Sequence, residues 1–428
     1  PSIPQHMNEE KEADIIVINT CCFIHDAKQE SINTILEMAE YKKNGQLKAL
    51  IVTGCLAQRY RKEIKQEIPE VDALIGTTSY DHIVEVIDLV LTGEYQEKFE
   101  DINYLAKSTT ERINTTGGHF SYLKIAEGCN KHCTYCIIPS IRGDYRSVPM
   151  EKLIEEAKFL AQNGVKELNL VAQETTLYGM DLCNKKLLPE LLKRLCQIDG
   201  LLWIRILYCY PEEITSELID VIKQEQKICK YLDLPIQHAS DTILQRMGRK
   251  TNRTQLTNLI HTLRQEIPDI ILRTTLITGF PGETQQDHEI LKEFIQQMQF
   301  DRLGVFPYSK EENTPAAKFP NQVLAGIKKK RQKELMSIQQ KIAFQKTKER
   351  IGKCFFVFVE GKLPEKGIYI GRTYMDAPNV DGFLFFESEQ ELMSGEFVWV
   401  DVTGAKGYDL IGKANFNIKQ GANYESSK

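Results

Sequence analysis

Residues 121 to 172 read SYLKIAEGCNKHCTYCIIPSIRGDYRSVPMEKLIEEAKFLAQNGVKELNLVA. An apolar run, SYLKIAEG, leads into a loop carrying Cys129, Cys133 and Cys136. A helical pattern, MEKLIEEAKFLAQNG, follows, with Gly164 placed to stop it. The run VKELNLVA then reads as a second strand. Strand, helix and strand in succession predict a parallel βαβ unit.

The pattern continues downstream. WIRILY (203–208), KYLDLPI (230–236), IILRTTLI (270–277) and RLGVF (302–306) are further strand candidates, with helical segments between most of them. Six such units are too few for an eight-unit barrel, so a partial (β/α)6 barrel is expected, with ligands at the carboxyl ends of its strands. Upstream, ADIIVINT (13–20), ALIVTG (49–54) and DALIGT (72–77) alternate with helical patterns and predict a separate parallel α/β domain. Cys21 and Cys55 each stand directly after one of these runs, at a ligand-binding edge or as buried cysteines that fill space.

Residues 323 to 350 read as one long basic helix, whose run Lys328-Lys329-Lys330-Arg331 fits a solvated face better than a nucleic-acid contact. FFVFVEG, GIYIGRT, GFLFFES, EFVWVDVTG and YDLIGKA are short alternating strands and predict a small antiparallel, OB-like β-barrel. The expected α/β organisation is an N-terminal domain over 1–105, a linker over 106–120, the partial barrel with its trailing helix over 121–350, the small barrel over 351–417 and a tail over 418–428.

At 42% hydrophobic and 26% charged residues in 428, the chain is long and apolar enough for two or three cored domains. No apolar run approaches the roughly 20 residues of a membrane span, no leader pattern opens the chain, and a cytoplasmic location without a membrane partner is expected. Eleven cysteines, an odd number, favour metal or redox use over a disulfide framework. A net charge of −5 provides no global field for nucleic acid. Within 351–413, ten Asp or Glu face six Lys or Arg, so that segment prefers a basic partner. The opening Pro1-Ser2-Ile3 leads to the expectation of a chain shortened at its N-terminus.

Iron–sulfur clusters and structural zinc sites usually take four protein ligands. Here the spacing is C-x3-C-x2-C with no fourth thiol nearby, and His132, next to Cys133, is badly placed to complete a zinc tetrahedron. Three thiolates on one loop can hold three irons of a cubane cluster and leave the fourth open as a reaction site.

With Tyr135 as the aromatic, C-x3-C-x-aromatic-C resembles the signature of the radical SAM enzymes. In order along the chain, ADIIVINTC, TGCLAQRY, LKIAEGCNKHCTYCIIPSIRG, LVAQETTLYG, YLDLPIQHASD, RTTLITGFPGET and FDRLGVFPYSKEENTPAA resemble the methylthiotransferases, over essentially the whole chain. That resemblance implies an N-terminal domain with a second cluster, a radical SAM core and a C-terminal TRAM barrel. AQETTLYG (172–179), LDLPIQHASD (232–241, with His238) and DRLGVFPYS (301–309) resemble the branch that acts on an aspartate of the twelfth small-subunit ribosomal protein. The branch that modifies a transfer RNA adenosine is the alternative; a domain gripping RNA must neutralise phosphates, which the acidic barrel is ill suited to do.

What the resemblance implies is replacement of a C–H bond at the aspartate β-carbon by C–S–CH3. One S-adenosylmethionine methylates sulfur held at the second cluster, and another supplies the radical; a reductant protein is the implied electron source. The resemblance assigns Cys129, Cys133 and Cys136 to a radical 4Fe–4S cluster and Cys21 and Cys55 to an auxiliary one. It gives Tyr135 backbone contacts to the adenosyl group and puts Gln173 and Glu174 on the cofactor-facing edge, where they equally read as structural polar residues. The turn GFPGET, lacking the Lys-Ser/Thr of a phosphate loop, is either backbone close to the cofactor or a tight strand-to-helix turn. Two departures stand out: the family's third auxiliary cysteine would fall upstream of Pro1, and Cys22 replaces the usual glycine. Neighbouring residues of an extended chain face opposite ways, so Cys22 is not expected to substitute. Cys183, Cys196, Cys209, Cys229 and Cys354 are expected to be small hydrophobes.

Overall fold

The computed structural model describes residues 10–105, 114, 118–364 and 367–418. Most of the expected linker and nearly all of the expected tail lie outside the described residues. The chain divides into two compact units. The first runs to residue 111 and also takes in Glu127–Arg146 and Ser309–Lys318; the second holds residues 112 to 126, 147 to 308 and from 319 onward.

The first unit is built on four parallel strands in sequence order, β1 (Ile15–Thr20), β2 (Ala49–Gly54), β3 (Ala73–Ile75) and β4 (Gln96–Lys98). β2 is buried along its whole length, as its unbroken apolar sequence requires of a strand covered on both faces. The helix His25–Ala39 lays Ser31, Ile35 and Ala39 inward at helical spacing. β4 lies on the polar stretch QEK, which carries no alternating signal; it is recruited as an edge strand by pairing with β3. The core joins Ile18, Cys22, Ile35, Leu50, Val52, Cys55 and Leu74 to Ile137 and Ile141 of the segment that follows the three-cysteine loop.

In the second unit six parallel strands stand in strict sequence order: β5 (Phe120–Lys124), β6 (Glu167–Val171), β7 (Trp203–Ile206), β8 (Ile228–Asp233), β9 (Ile271–Thr278) and β10 (Arg302–Pro307). This is the expected (β/α)6 arrangement. Gly164, at φ +92°, ends the helix Met150–Gln162 as anticipated. Capping boxes at Asn252 and Thr284 start the helices Arg253–Glu266 and Gln285–Met298. The long helix spans Ala325–Lys348, but its basic run is split. Lys328 donates to the Tyr308 carbonyl at 2.8 Å and buried Arg331 pairs with Glu283 at 2.8 Å, leaving Lys329 and Lys330 exposed.

Five strands, β11 (Cys354–Lys362), β12 (Ile368–Arg372), β13 (Leu384–Glu387), β14 (Phe397–Lys406) and β15 (Asp409–Ala414), close a barrel in the order β11-β12-β13-β15-β14. Its ladders are antiparallel except where β13 meets β15 in parallel. Phe358, Tyr369 and Phe397 of this barrel share one core with Trp203, Tyr231 and Ile271 of the six-stranded sheet. Trp203 and Phe397 meet edge to face with ring centroids 4.9 Å apart.

At that joint Glu167, wholly buried, accepts from Arg205 at 3.0 Å and Arg372 at 2.7 Å. The two guanidiniums hold its carboxyl below the usual range despite the burial that opposes ionisation. Arg205 also donates to the Tyr374 carbonyl at 2.7 Å and Arg372 to that of Asp376 at 3.1 Å. Breaking a buried ion pair by removing one partner strands the other charge. Glu167→Ala is therefore expected to lower stability by about 3–5 kcal/mol in urea unfolding, whereas Glu387→Ala, at an exposed position, should change it by no more than about 0.5 kcal/mol.

Candidate active site

In the first unit, both N-terminal sheet cysteines sit at carboxyl ends of parallel strands. Cys21 follows β1 directly and is exposed; Cys22, next in the chain and past the strand, is fully buried in the core. Ser31 pins the Cys21 backbone from both sides, accepting its N–H at 3.0 Å and donating to its carbonyl at 2.9 Å. Cys55 opens the short helix Cys55–Arg59 after Gly54, which has φ +92°. A Cβ at Gly54 would stand 2.6 Å from the Thr20 carbonyl oxygen, so only glycine delivers Cys55 there. Thr20 closes this corner, donating to the Thr53 carbonyl at 2.6 Å and accepting the Leu56 N–H at 3.2 Å.

The three-cysteine loop is closed by its own backbone. The Cys129 N–H donates to the Gly143 carbonyl at 3.2 Å and the Cys136 N–H to that of Cys133 at 3.0 Å. Gly128 has φ +79° and its missing Cβ would lie 2.1 Å from the Asp144 carbonyl oxygen. Cys129 and Cys133 are buried and Cys136 is partly so; none of the three is in a disulfide. Burial pushes the Cys136 thiol up to about 12, with Cys133 and Cys129 near enough to reinforce the shift. Among the described residues no three His, Cys, Asp or Glu side chains converge on one point fit for a single metal ion. Ligands of a cubane cluster need no such convergence, since each thiolate binds its own iron. A three-thiol set on one loop suits that cluster and does not suit a mononuclear zinc site.

Cys55 is contacted by a residue of the same segment. Arg142, at the end of the helix Ile138–Arg142, donates from Nη2 to Cys55 Sγ at 3.3 Å and holds buried Glu127 through Nη1 at 3.4 Å. Burial raises the Cys55 thiol, and the Arg142 charge opposes the rise. The Cys22 thiol is pushed up to about 12, by burial first and by Cys55 second. Arg59 donates to the Cys22 carbonyl at 3.1 Å and pairs with Glu311 at 3.2 Å, with both side chains nearly buried. Tyr135, inside the loop, is half-buried.

The second unit carries the remaining expected positions on its own strand ends. Gln173 and Glu174 follow β6; Glu174 is buried and its carboxylate accepts the Thr176 N–H at 2.8 Å. The GFPGET turn after β9 is held by Glu283, which accepts from the Gly279 N–H at 2.5 Å and the Phe280 N–H at 3.1 Å. After β8, His238 is wholly buried, its Nδ1 accepting the Ser240 N–H at 2.9 Å and its Nε2 lying 3.8 Å from Glu283. Burial holds its imidazole neutral, with the pKa lowered to about 3. Two polar residues went unread in the sequence. Asn169 in β6 has both amide atoms buried without a protein partner, and Asp233 in β8 has Oδ1 in that state. Asn169 stands between two leucines and Asp233 ends its strand, positions that no spacing rule singled out, and such buried groups ordinarily meet water or a ligand. Tyr208 and Gln237, just past β7 and β8, hold φ of +58° and +72°, an uncommon region for side chains of this size. Of the other cysteines, Cys209 and Cys229 are buried fillers as expected, whereas Cys183 is exposed.

The chain matches the family model described as the radical SAM superfamily over residues 123–295, that of uncharacterized protein family UPF0004 over 4–76 and the TRAM domain over 351–414. Among solved structures, the radical S-adenosylmethionine methyltransferase TsrM from Kitasatospora setae superposes with a TM-score of 0.53 at 13% identity. That match covers 72% of this chain and 66% of TsrM, a likeness of fold. The class is thus radical SAM, joined to a TRAM barrel. The ribosomal protein uS12 methylthiotransferase RimO of Lachnoclostridium phytofermentans is 70% identical over 407 residues, covering 95% of this chain and 92% of the relative. RimO of Clostridioides difficile is 49% identical over 408 residues, with 95% and 92% covered. The chain belongs to the RimO family.

Two outcomes follow from this geometry. Gly128→Ala is expected to cost more than about 2 kcal/mol, combining backbone strain with a collision. Gly164→Ala, which meets open space, should cost only about 1 kcal/mol; urea midpoints compare them. For His238, the unfolded chain takes a proton below 6.5 while the folded one resists until about 3. Stability is full above 6.5 and falls by up to about 1.4 kcal/mol per unit as pH drops towards 3. Urea unfolding at pH 7.5, 6 and 5 should show a shallower decline in His238→Gln than in the wild type.

Proposed function

We infer that this chain is a radical SAM methylthiotransferase that places a methylthio group on the β-carbon of an aspartate in ribosomal protein uS12. The observation carrying this reading is the 70% identity to a RimO protein over 95% of the chain. The three-thiol loop supports it, as does the ordered (β/α)6 sheet whose strand ends carry Glu174, His238 and Glu283.

Cys129, Cys133 and Cys136 would hold a 4Fe–4S cluster, and Cys21 and Cys55 would supply ligands to a second. Together with S-adenosylmethionine, these groups supply electron delivery, hydrogen abstraction and sulfur chemistry. The chain's own residues prepare the sites. The raised Cys136 and Cys55 thiols must lose protons as iron binds, so loading releases acid. Ser31 fixes the backbone of Cys21, and Gly54 that of the turn into Cys55. Gln173, Glu174 and the backbone of Tyr135 are cofactor-facing in this reading, and Glu283 keeps the GFPGET backbone in one shape. The exposed Glu387, Glu389 and Glu391 of the small barrel suit a basic ribosomal protein better than a phosphate backbone. A reductant protein and a cytoplasmic place of work complete the reading; no helix among the described residues is long and apolar enough to cross a membrane.

Anaerobically reconstituted protein, given reductant, S-adenosylmethionine and either uS12 or transfer RNA, separates the outcomes by mass spectrometry. A methylthio group on the uS12 aspartate is expected, with 5′-deoxyadenosine formed; its appearance on transfer RNA instead would overturn the assignment.

A further inference from the structure

Arg142 bridges two segments of the first unit. Its backbone belongs to the three-cysteine segment: the helix Ile138–Arg142 begins two residues after Cys136, and Gly143, next in sequence, accepts the Cys129 N–H. Its guanidinium reaches a thiol of the N-terminal sheet, with Nη2 on Cys55 Sγ at 3.3 Å. The other arm holds Glu127, two residues before Cys129, at 3.4 Å. The geometry is fixed from both ends. Thr77 donates from Oγ1 to the Ile141 carbonyl at 3.0 Å, and its N–H goes to Gln58, three residues beyond Cys55, at 3.1 Å. Ile137 and Ile141 share a core with Cys55 and Leu56. The segment Glu127–Arg146 and the residues around Cys55 are thus one packed body.

We propose that Arg142 is a positioning residue common to the two cluster sites, setting the place of the Cys55 sulfur relative to the radical loop and raising the reduction potential of the cluster Cys55 would hold. The inference rests on the assignment of Cys55 as a ligand. A guanidinium is always charged, and an N–H aimed at a ligand sulfur favours the more negative, reduced state. The nearly buried Glu127 keeps Arg142 from swinging to solvent. A structural role alone, neutralising Glu127, would require no contact with the sulfur.

The test reconstitutes wild type, Cys55→Ala, Arg142→Gln and Arg142→Lys with iron and sulfide, then measures iron content and the reduction potentials of the clusters by electron paramagnetic resonance. Arg142→Gln is expected to keep the wild-type iron content while the potential of the cluster lost in Cys55→Ala moves to a more negative value. The potential assigned to the radical loop should move less, and Arg142→Lys should recover part of the shift. An Arg142→Gln protein with wild-type iron and unchanged potentials overturns the proposal, as does an Arg142→Lys protein without recovery. If Arg142→Gln does not fold, Arg142→Lys, which keeps the charge but not the forked geometry, must itself show a smaller negative shift. A Cys55→Ala protein with undiminished iron, or a wild type with only one cluster, overturns the ligand assignment itself, a result recognisably different from an unchanged potential.

Discussion

Closure of the three-cysteine loop on its own backbone is the constraint from which the rest of the first unit follows. With the Cys129 N–H committed to the Gly143 carbonyl and no room for a side chain at Gly128, the ends of the loop are pinned side by side. The helix that starts after Cys136 is thereby aimed at the N-terminal sheet, where its isoleucines join the core around Cys55. Loop geometry, helix docking and the sulfur contact of Arg142 are consequences of one short closure.

The second unit solves a different problem. An open six-stranded sheet leaves a face that helices do not cover, and the small barrel fills it with Phe358 and Phe397 against Trp203 and Tyr231. Apolar area drives that contact without direction. Glu167, clamped between Arg205 and Arg372, gives it a registry, because a shifted barrel would leave a buried charge unpaired.

Most of the fold was legible because parallel strands covered on both faces are written as unbroken apolar runs, and the runs at 49–54, 203–208 and 270–277 each became a strand within a residue or two. β4 escaped because QEK has no apolar face; its strand state comes from its neighbour. The parallel β13–β15 ladder was not readable either, since alternation marks which face is inward but not which strand lies alongside. At the candidate site, spacing alone singled out Cys129, Cys133 and Cys136 as the expected cluster ligands. Arg142 and Glu167 carry no local pattern, and their meaning arises only where distant segments meet. The run from Lys328 to Arg331 shows the reverse: four adjacent cations looked alike in sequence, yet helical phase turned Lys328 to a carbonyl and Arg331 to a buried carboxylate.

The pairing of Arg59 with Glu311 has a consequence in time. The two residues are 252 positions apart, and at about 5–20 residues per second a ribosome needs on the order of 13–50 seconds to travel between them. Throughout that interval the nascent N-terminal sheet carries a guanidinium whose carboxylate has not yet been made. The first unit therefore reaches its final ion pairing only when the last strand of the six has been synthesised. Its assembly is tied to the completion of a sheet to which it contributes no strand.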